Sequence, residues 1–579
     1  MKSLYTLLLG ISLSTIACEK PYDTERNPIV YGDTYLKIDI NTDKAVYEPN
    51  ATVHFTLGKM PQGAYKVRYS YLGETIKEEP LTGTSWTWKV PSDNYRGYLV
   101  EVYKNEEGRE DTYGSIAVDV STDWTAFPRY GFLSSYDEMS EAEINSNIDF
   151  LSRCHINGLQ FYDWMYQHHR PLASTPVWDD LFKRKTYLKT VKGYITAAHN
   201  KGIKAMFYNL AFGVLGENAA ADGVQDNWYL YKDKDHKERD KHALDKNYAT
   251  GDIYLVNPAN TAWQSYIAGR NNDVYAALDF DGYHIDQLGG RGNVYDYDGK
   301  AVDLPQTYAP FINAMKSARS DKRLVMNAVG QYGQKEITTT KVDFLYTEVW
   351  DAHKTYEQLV SVIKENDQLS NNNKRTVLAA YMNYDRAKSI GYVNEPGILL
   401  ADAVIFSNGG AHLELGEHYL TREYFPDKNL VLCGTLKKHL ITYYDFLVGY
   451  QNLLRGGATL TSKNITAVEG ATLAAGLNAA GKVNYTVREL GDKEIWHLVN
   501  FTGVSNMEWR DTNATQVAPD ELKTIKLTAS TTKPVKKVWF ASPDIYGGAP
   551  RKIEFTQENN QITLTLPYLK YWDMVVIEY

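Results

Sequence analysis

The chain has 579 residues, 43% hydrophobic and 23% charged, with a formal net charge of −9. That length exceeds a single hydrophobic core and calls for two to four domains of an ordinary globular kind. The acidic balance argues against nucleic acid as a partner, and three cysteines are too few for a disulfide framework or a cysteine-built metal cluster.

In chain order, the first 17 residues, "MKSLYTLLLGISLSTIA", read as a secretory signal: one lysine, an apolar stretch, then small residues. With Cys18 the stretch resembles a bacterial lipoprotein signal, although Thr15 stands where leucine is usual. The resemblance implies lipid on the Cys18 sulfur. It also implies an exported protein, anchored at the outer membrane or cell surface or held in the periplasm. Residues 18–29 form a polar tether, and no later run is apolar enough to cross a bilayer. Residues 30–122 hold short alternating runs such as "TVHFTL", "YKVRYSYL" and "SWTWKV", separated by Gly, Pro, Asn and Asp. They predict an immunoglobulin-like β-sandwich without the Cys–Trp–Cys pattern of antibody domains.

Residues 123–457 change rhythm. Apolar strands alternate with helical stretches: "RYGFLSSY", "GLQFYDW", "IKAMFYNL", "GYHID", "RLVMNA", "DFLYTE", "VLAAYMN" and "AVIFSN". Ser140 and Glu143 make a capping box for the first helix. Eight strand–helix units predict a (β/α)8 barrel; a doubly wound sheet would need a glycine-rich phosphate loop that "SSYDEMS" does not supply. The largest insertion follows the third strand and includes "YKDKDHKERDKHALDK", a solvated loop or a lid. Residues 458–579 return to strands and predict a second antiparallel β-sandwich.

In such barrels the active site gathers at the C-terminal ends of the strands. The proposed strands end on Asp163, Asn209, Asp286, Asn327, Glu348, Asn383 and Asn408. Two of these, Asp286 and Glu348, are acids on well-formed apolar strands. Two facing carboxyls suit glycosidic bond cleavage, one attacking as carboxylate and the other donating a proton. Aromatic neighbours Tyr346 and Trp350 favour a protonated Glu348, whereas amides of Gln287, Gly289 and Gly290 are placed to keep Asp286 ionised. This assigns Asp286 as nucleophile and Glu348 as acid/base. Tyr162, Trp164, Tyr166, Trp350 and Tyr381 are candidate sugar-stacking rings, in competition with plain barrel packing. Asp163, Asn327 and Asn383 are candidate hydroxyl binders, and His284 and Gln287, which flank the nucleophile, are further substrate-binding candidates. Glu414 and Glu417 are ligand contacts or loop residues. A zinc hydrolase built on His168, His169, His284 and Asp163 is the weaker rival, because no ligand spacing supports it. No cofactor or metal is called for.

"NGLQFYDWMYQHHRPL" at 157–172, "FDGYHIDQLGGRG" at 280–292 and "YTEVW" at 346–350, in this order, resemble glycoside hydrolase family 66. That family contains endo-dextranases and cycloisomaltooligosaccharide glucanotransferases, retaining enzymes on α-1,6-glucan. The resemblance implies a β-sandwich, barrel, β-sandwich order, with Asp286 as nucleophile and Glu348 as acid/base. Cyclising members carry a carbohydrate-binding module after the seventh strand, for which this chain has no room. The resulting expectation is a monomeric endo-dextranase cutting dextran to isomaltooligosaccharides through a covalent intermediate, with minor transglycosylation. The alternatives are a retaining glycosidase on another α-glucan or an α-galactoside, and a non-catalytic glycan-binding surface lipoprotein.

Overall fold

The computed structural model describes residues 30–31, 38–106, 109–217 and 219–579. The signal, the tether and Cys18 lie outside the described residues. Near the N-terminus a five-stranded sheet, built largely from Lys66–Tyr71, Glu74–Pro80, Arg96–Glu106 and Arg109–Val120, accompanies a three-stranded sheet of Ile40–Thr42, Thr52–Leu57 and Ser85–Lys89. In "TVHFTL" every second residue is buried, as a strand with one face on a core requires. Val53, Phe55, Val67, Tyr69, Trp88, Val100 and Ile116 form that core.

The centre is an eight-stranded parallel sheet rolled into a nearly closed barrel. Its strands are β1 (Tyr130–Leu133), β2 (Gly158–Phe161), β3 (Lys204–Leu210), β4 (Gly282–Asp286), β5 (Arg323–Val329), β6 (Leu345–Glu348), β7 (Thr376–Ala379) and β8 (Ala411–His412). Each pairs with its neighbour in sequence order. The seam closes just beyond β8, where Phe132 forms a parallel bridge with Gly416 and its N–H donates to the Leu415 carbonyl at 3.1 Å. Side-chain alternation sorts the strands into two layers. Tyr130, Phe132, Met206, Val325, Tyr346, Val377, Ala379 and Ala411 fill the barrel interior. Leu159, Phe207, Tyr283, Ile285, Met326 and Leu378 face the surrounding helices. Gly282 opens β4 because a Cβ there would lie 2.3 Å from the Arg323 carbonyl oxygen.

The helices include α1 (Glu141–Arg153), α2 (Leu188–Asn200), α3 (Thr261–Ala277), α4 (Leu304–Ala318), α5 (Gln334–Thr338), α6 (Tyr356–Leu369), α7 (Glu395–Ser407) and α8 (Gly434–Gly449). The Ser140–Glu143 capping box opens α1. One expectation fails here. "AVIFSN" is not the eighth strand but the end of α7, and Asn408 caps that helix. All of Gly397 to Ser407 is buried, so the helix is apolar on every side and lacks the periodicity that separates helix from strand.

Beyond the barrel lie a seven-stranded and a four-stranded sheet, sharing a core that includes Val483, Trp496, Ile525, Leu564 and Val575. Between Lys493–Asn500 and Leu522–Ser530 the chain makes a long excursion, 501–521, back onto the barrel. The Tyr356 N–H donates to the Met507 carbonyl at 3.1 Å, Asn383 N–H to the Arg510 carbonyl at 2.8 Å, and Asp385 N–H to the Thr512 carbonyl at 2.9 Å. The excursion therefore lines up against the segments that follow β6 and β7.

Candidate active site

Asp286 ends β4 and Glu348 ends β6, with Asn327 on β5 between them. The parallel register and the period of two point all three toward the barrel axis. Asn327 Nδ2 donates to Asp286 Oδ1 at 2.8 Å and to Glu348 Oε2 at 3.1 Å. Its Oδ1 accepts the Glu348 backbone N–H at 3.3 Å, which fixes the amide the right way round. Sharing one nitrogen holds the two carboxyl oxygens within about 6 Å of each other. Tyr208 Oη donates to Asp286 Oδ2 at 2.6 Å, and Tyr381 Oη donates to Glu348 Oε1 at 2.8 Å.

Burial pushes the Glu348 carboxyl up to about 7, and the neighbouring Asp286 charge adds to the rise. Hydrogen bonds from Tyr381, Asn327 and Trp350 oppose it. Burial also raises Asp286, against hydrogen bonds from Tyr208, Asn327 and the Gln287 backbone. The sequence placed the Gly289 amide at Asp286, but that N–H donates instead to Gln287 Oε1 at 2.6 Å. A tyrosine and an asparagine take over the expected role of the glycine amides. Burial lifts Asp163 to about 7 as well, and its backbone sits at φ 46°, a left-handed conformation unusual for a side-chain-bearing residue. His284 is driven down to about 3 by burial and stays neutral between the rings of Tyr130 and Tyr346.

These groups open into a cavity of about 800 Å³. Of the residues named from sequence, Tyr162, Asp163, His168, His284, Gln287, Asn327, Trp350 and Tyr381 line it with Asp286 and Glu348. Trp164 does not. It is fully buried against Phe207 and Phe280 in the shell between barrel and helices, so it offers no face to a sugar. Asn383 does not either: it is fully buried, with its Nδ2 on the Asp511 carbonyl at 2.8 Å. Tyr166 and Asn209 also lie outside the lining, and Asn209 Nδ2 donates to the His168 carbonyl at 2.8 Å. Glu414 is buried and Glu417 half-buried, both outside the cavity lining, with Glu417 accepting from Ser134 Oγ at 2.8 Å.

Sequence reasoning missed Tyr208, although it precedes Asn209 on the parity that matches His284 and Asp286 across the sheet. It also missed the wall formed by Phe182, Tyr248, Arg422, Glu423, Tyr424 and Phe425. Those residues come from loops and carry no local signal. The charged insertion contributes His242 and Leu244 to the same wall. Among the described residues, the one grouping of His, Cys, Asp and Glu close enough to share an ion is Asp402, His412 and Glu414. None of the three lines the cavity.

The sequence profile described as Glycosyl hydrolase family 66 matches residues 42–576. The chain belongs to that family. Among its relatives in the family are a cycloisomaltooligosaccharide glucanotransferase of Niallia circulans, 26% identical over 743 aligned positions covering 99% of this chain and 75% of the relative. A dextranase of Streptococcus salivarius is 24% identical over 591 positions, covering 87% and 70%. A crystal structure of a Paenibacillus cycloisomaltooligosaccharide glucanotransferase complexed with cycloisomaltoheptaose superposes with a TM-score of 0.84 at 24% identity, covering 94% of this chain and all of that one. This family member therefore shares the fold of that structure.

Proposed function

We propose that this family 66 protein is a retaining endo-dextranase. The observation that carries the reading is the shared asparagine: Asn327 holds Asp286 and Glu348 at a spacing that suits direct attack, not a water between them. Carboxyls about 5 Å apart leave room for a covalent glycosyl intermediate, whereas inverting enzymes set them about 6.5–9.5 Å apart. Asp286 attacks the anomeric carbon as carboxylate, and Glu348, protonated near neutrality, gives its proton to the leaving oxygen. Glu348 then takes a proton from water, and the resulting attack releases the sugar from Asp286. Tyr208 and Asn327 hold the Asp286 oxygens so that attack needs no reorganisation. Asp163, Tyr162, Gln287, Trp350 and Tyr381 bind the sugars around the scissile bond.

The preference for hydrolysis rests on what the chain lacks. The alignment with the Niallia circulans glucanotransferase spans 743 positions, so that relative carries well over a hundred residues without counterpart here. Between β7 and β8 the chain holds the short 3-10 helix Arg386–Lys388, the two-residue strand Gly391–Tyr392 and α7, with no room for a further module. The covalent intermediate also admits transfer to a sugar hydroxyl as a minor outcome. We further propose export and a lipid anchor at Cys18, consistent with a polymer substrate outside the cell. Chromatography of products over time from dextran, starch and galactosides tests the substrate. Early mixed isomaltooligosaccharides from dextran alone support the reading; turnover only of starch or a galactoside contradicts it, and binding without turnover indicates a glycan-binding protein.

A further inference from the structure

Arg510 belongs to the excursion of the C-terminal sheets, yet it packs against Trp350, a residue of the cavity lining. Its guanidinium lies 5.6 Å from the ring centre of Trp350, 5.4 Å from Tyr384 and 4.8 Å from Trp509. Its Nη2 donates to the Val349 carbonyl at 3.0 Å. Val349 and Trp350 immediately follow Glu348. Trp350 leans on Tyr381, which donates to the Glu348 carboxyl, with ring centres 5.6 Å apart. The excursion is held in turn by Asn383, offered by the sequence as a hydroxyl binder, and by residues beside it. Asn383 and Asn394 both donate to Asp511 Oδ2, at 3.2 and 2.7 Å, and Trp509 Nε1 donates to the His353 carbonyl.

We propose that Arg510 is a positioning residue for Glu348, so that a segment outside the barrel completes the acid/base. A planar guanidinium suits this task, because it stacks on rings with its faces and spends an edge N–H on a backbone carbonyl. It fixes the indole of Trp350, the indole backs the ring of Tyr381, and the Tyr381 hydroxyl holds the carboxyl that must reach the leaving oxygen. Removing the guanidinium frees Trp350 and loosens the Tyr381 ring behind it, which weakens the Tyr381 hydrogen bond to the ionised carboxyl. The change favours the protonated carboxyl, so the upper limb of the pH profile moves to higher pH.

The inference rests on Glu348 as acid, and the test separates the two. Unaltered protein and Arg510→Ala are compared on dextran, whose leaving oxygen needs a proton, and on α-isomaltosyl fluoride, whose fluoride leaves without one. The expected result is a fall in kcat/KM of about tenfold or more on dextran, within about threefold on the fluoride, and an upward-moved basic limb. An equal loss on both substrates, no loss on dextran, or an unmoved limb overturns the role of Arg510. Glu348→Gln serves as the reference: if it too loses both substrates equally, the assignment of Glu348 fails instead. Tyr381→Phe keeps the ring and deletes the hydroxyl that donates to Glu348, and it must move the same limb in the same direction. Arg510→Lys, which keeps the charge but loses the planar stacking face, carries the test with the same outcomes should Arg510→Ala fail to fold.

Discussion

Two acid clusters of this molecule invite comparison, because burial treats them alike. In one, Asp286 and Glu348 end β4 and β6; in the other, Asp402 of α7 and Glu414 flank His412 of β8, whose Nδ1 lies 2.8 Å from Asp402 and 3.4 Å from Glu414. Burial is the first cause of a raised carboxyl in both, with Glu348 near 7 and Glu414 near 8. What differs is access and donor supply. The first pair opens into the cavity, and each carboxyl there has both oxygens hydrogen-bonded by Tyr208, Asn327 or Tyr381. The second sits in a sealed layer, where Asp402 Oδ2 and Glu414 Oε2 accept no hydrogen bond. A displaced pKa is thus a sign of burial; it becomes chemistry only where a substrate reaches it and where the ionised form is supported.

The largest effects follow from breaking the open pair. Asp286→Asn should lower kcat on dextran by at least about 10⁴-fold with the fold intact, measured by reducing-sugar release beside thermal melting. Glu348→Gln should cost about 10²–10⁴-fold on dextran and much less on an activated leaving group. Next comes the pH dependence. Glu348 must be protonated to act first, so activity should fall as pH rises through about 7. Asp286 must be ionised, and since its carboxyl is raised, activity should fall on the acid side above the usual carboxylate range. A kcat/KM profile with that bell shape sharpens the comparison; a flat profile between pH 5 and 8 would erase it. Tyr208→Phe removes one hydrogen bond to a charged oxygen and should cost about 10–100-fold. The smallest effect belongs to the sealed cluster. Glu414→Gln should leave kcat within about threefold. A carboxyl raised on folding contributes stability below its unfolded value that is lost as pH rises toward about 8. The variant's melting temperature should therefore drop less between pH 6 and 9 than that of the unaltered chain.

The same contrast explains what was legible in the sequence. Asp286 and Glu348 stood out because each ends a short apolar run, where a bare acid needs a reason. Strands β1 to β7 read correctly because polar residues and turns bound them. β8 did not, since it spans only Ala411–His412 and is preceded by a helix buried on all sides. Strand parity separates Tyr208 from Asn209, but strand ends alone do not, and Asn209 was grouped with the inward residues for that reason. Trp164 follows Asp163 in an aromatic run, and nothing local tells a ring that faces sugar from one that faces Phe280. Asn383 answers to Asp511, a partner 128 positions away, and the wall from Phe182 to Phe425 is likewise assembled by long-range contacts. Cys18 and its signal rest on sequence alone.

The account turns on Asp286 forming a bond to sugar, and the most direct measurement is the mass of the peptide that carries it. Glu348→Gln protein, loaded with α-isomaltosyl fluoride and quenched in acid, should yield that peptide heavier by one isomaltosyl group. An adduct on any other residue, or rapid turnover with no adduct, would contradict it.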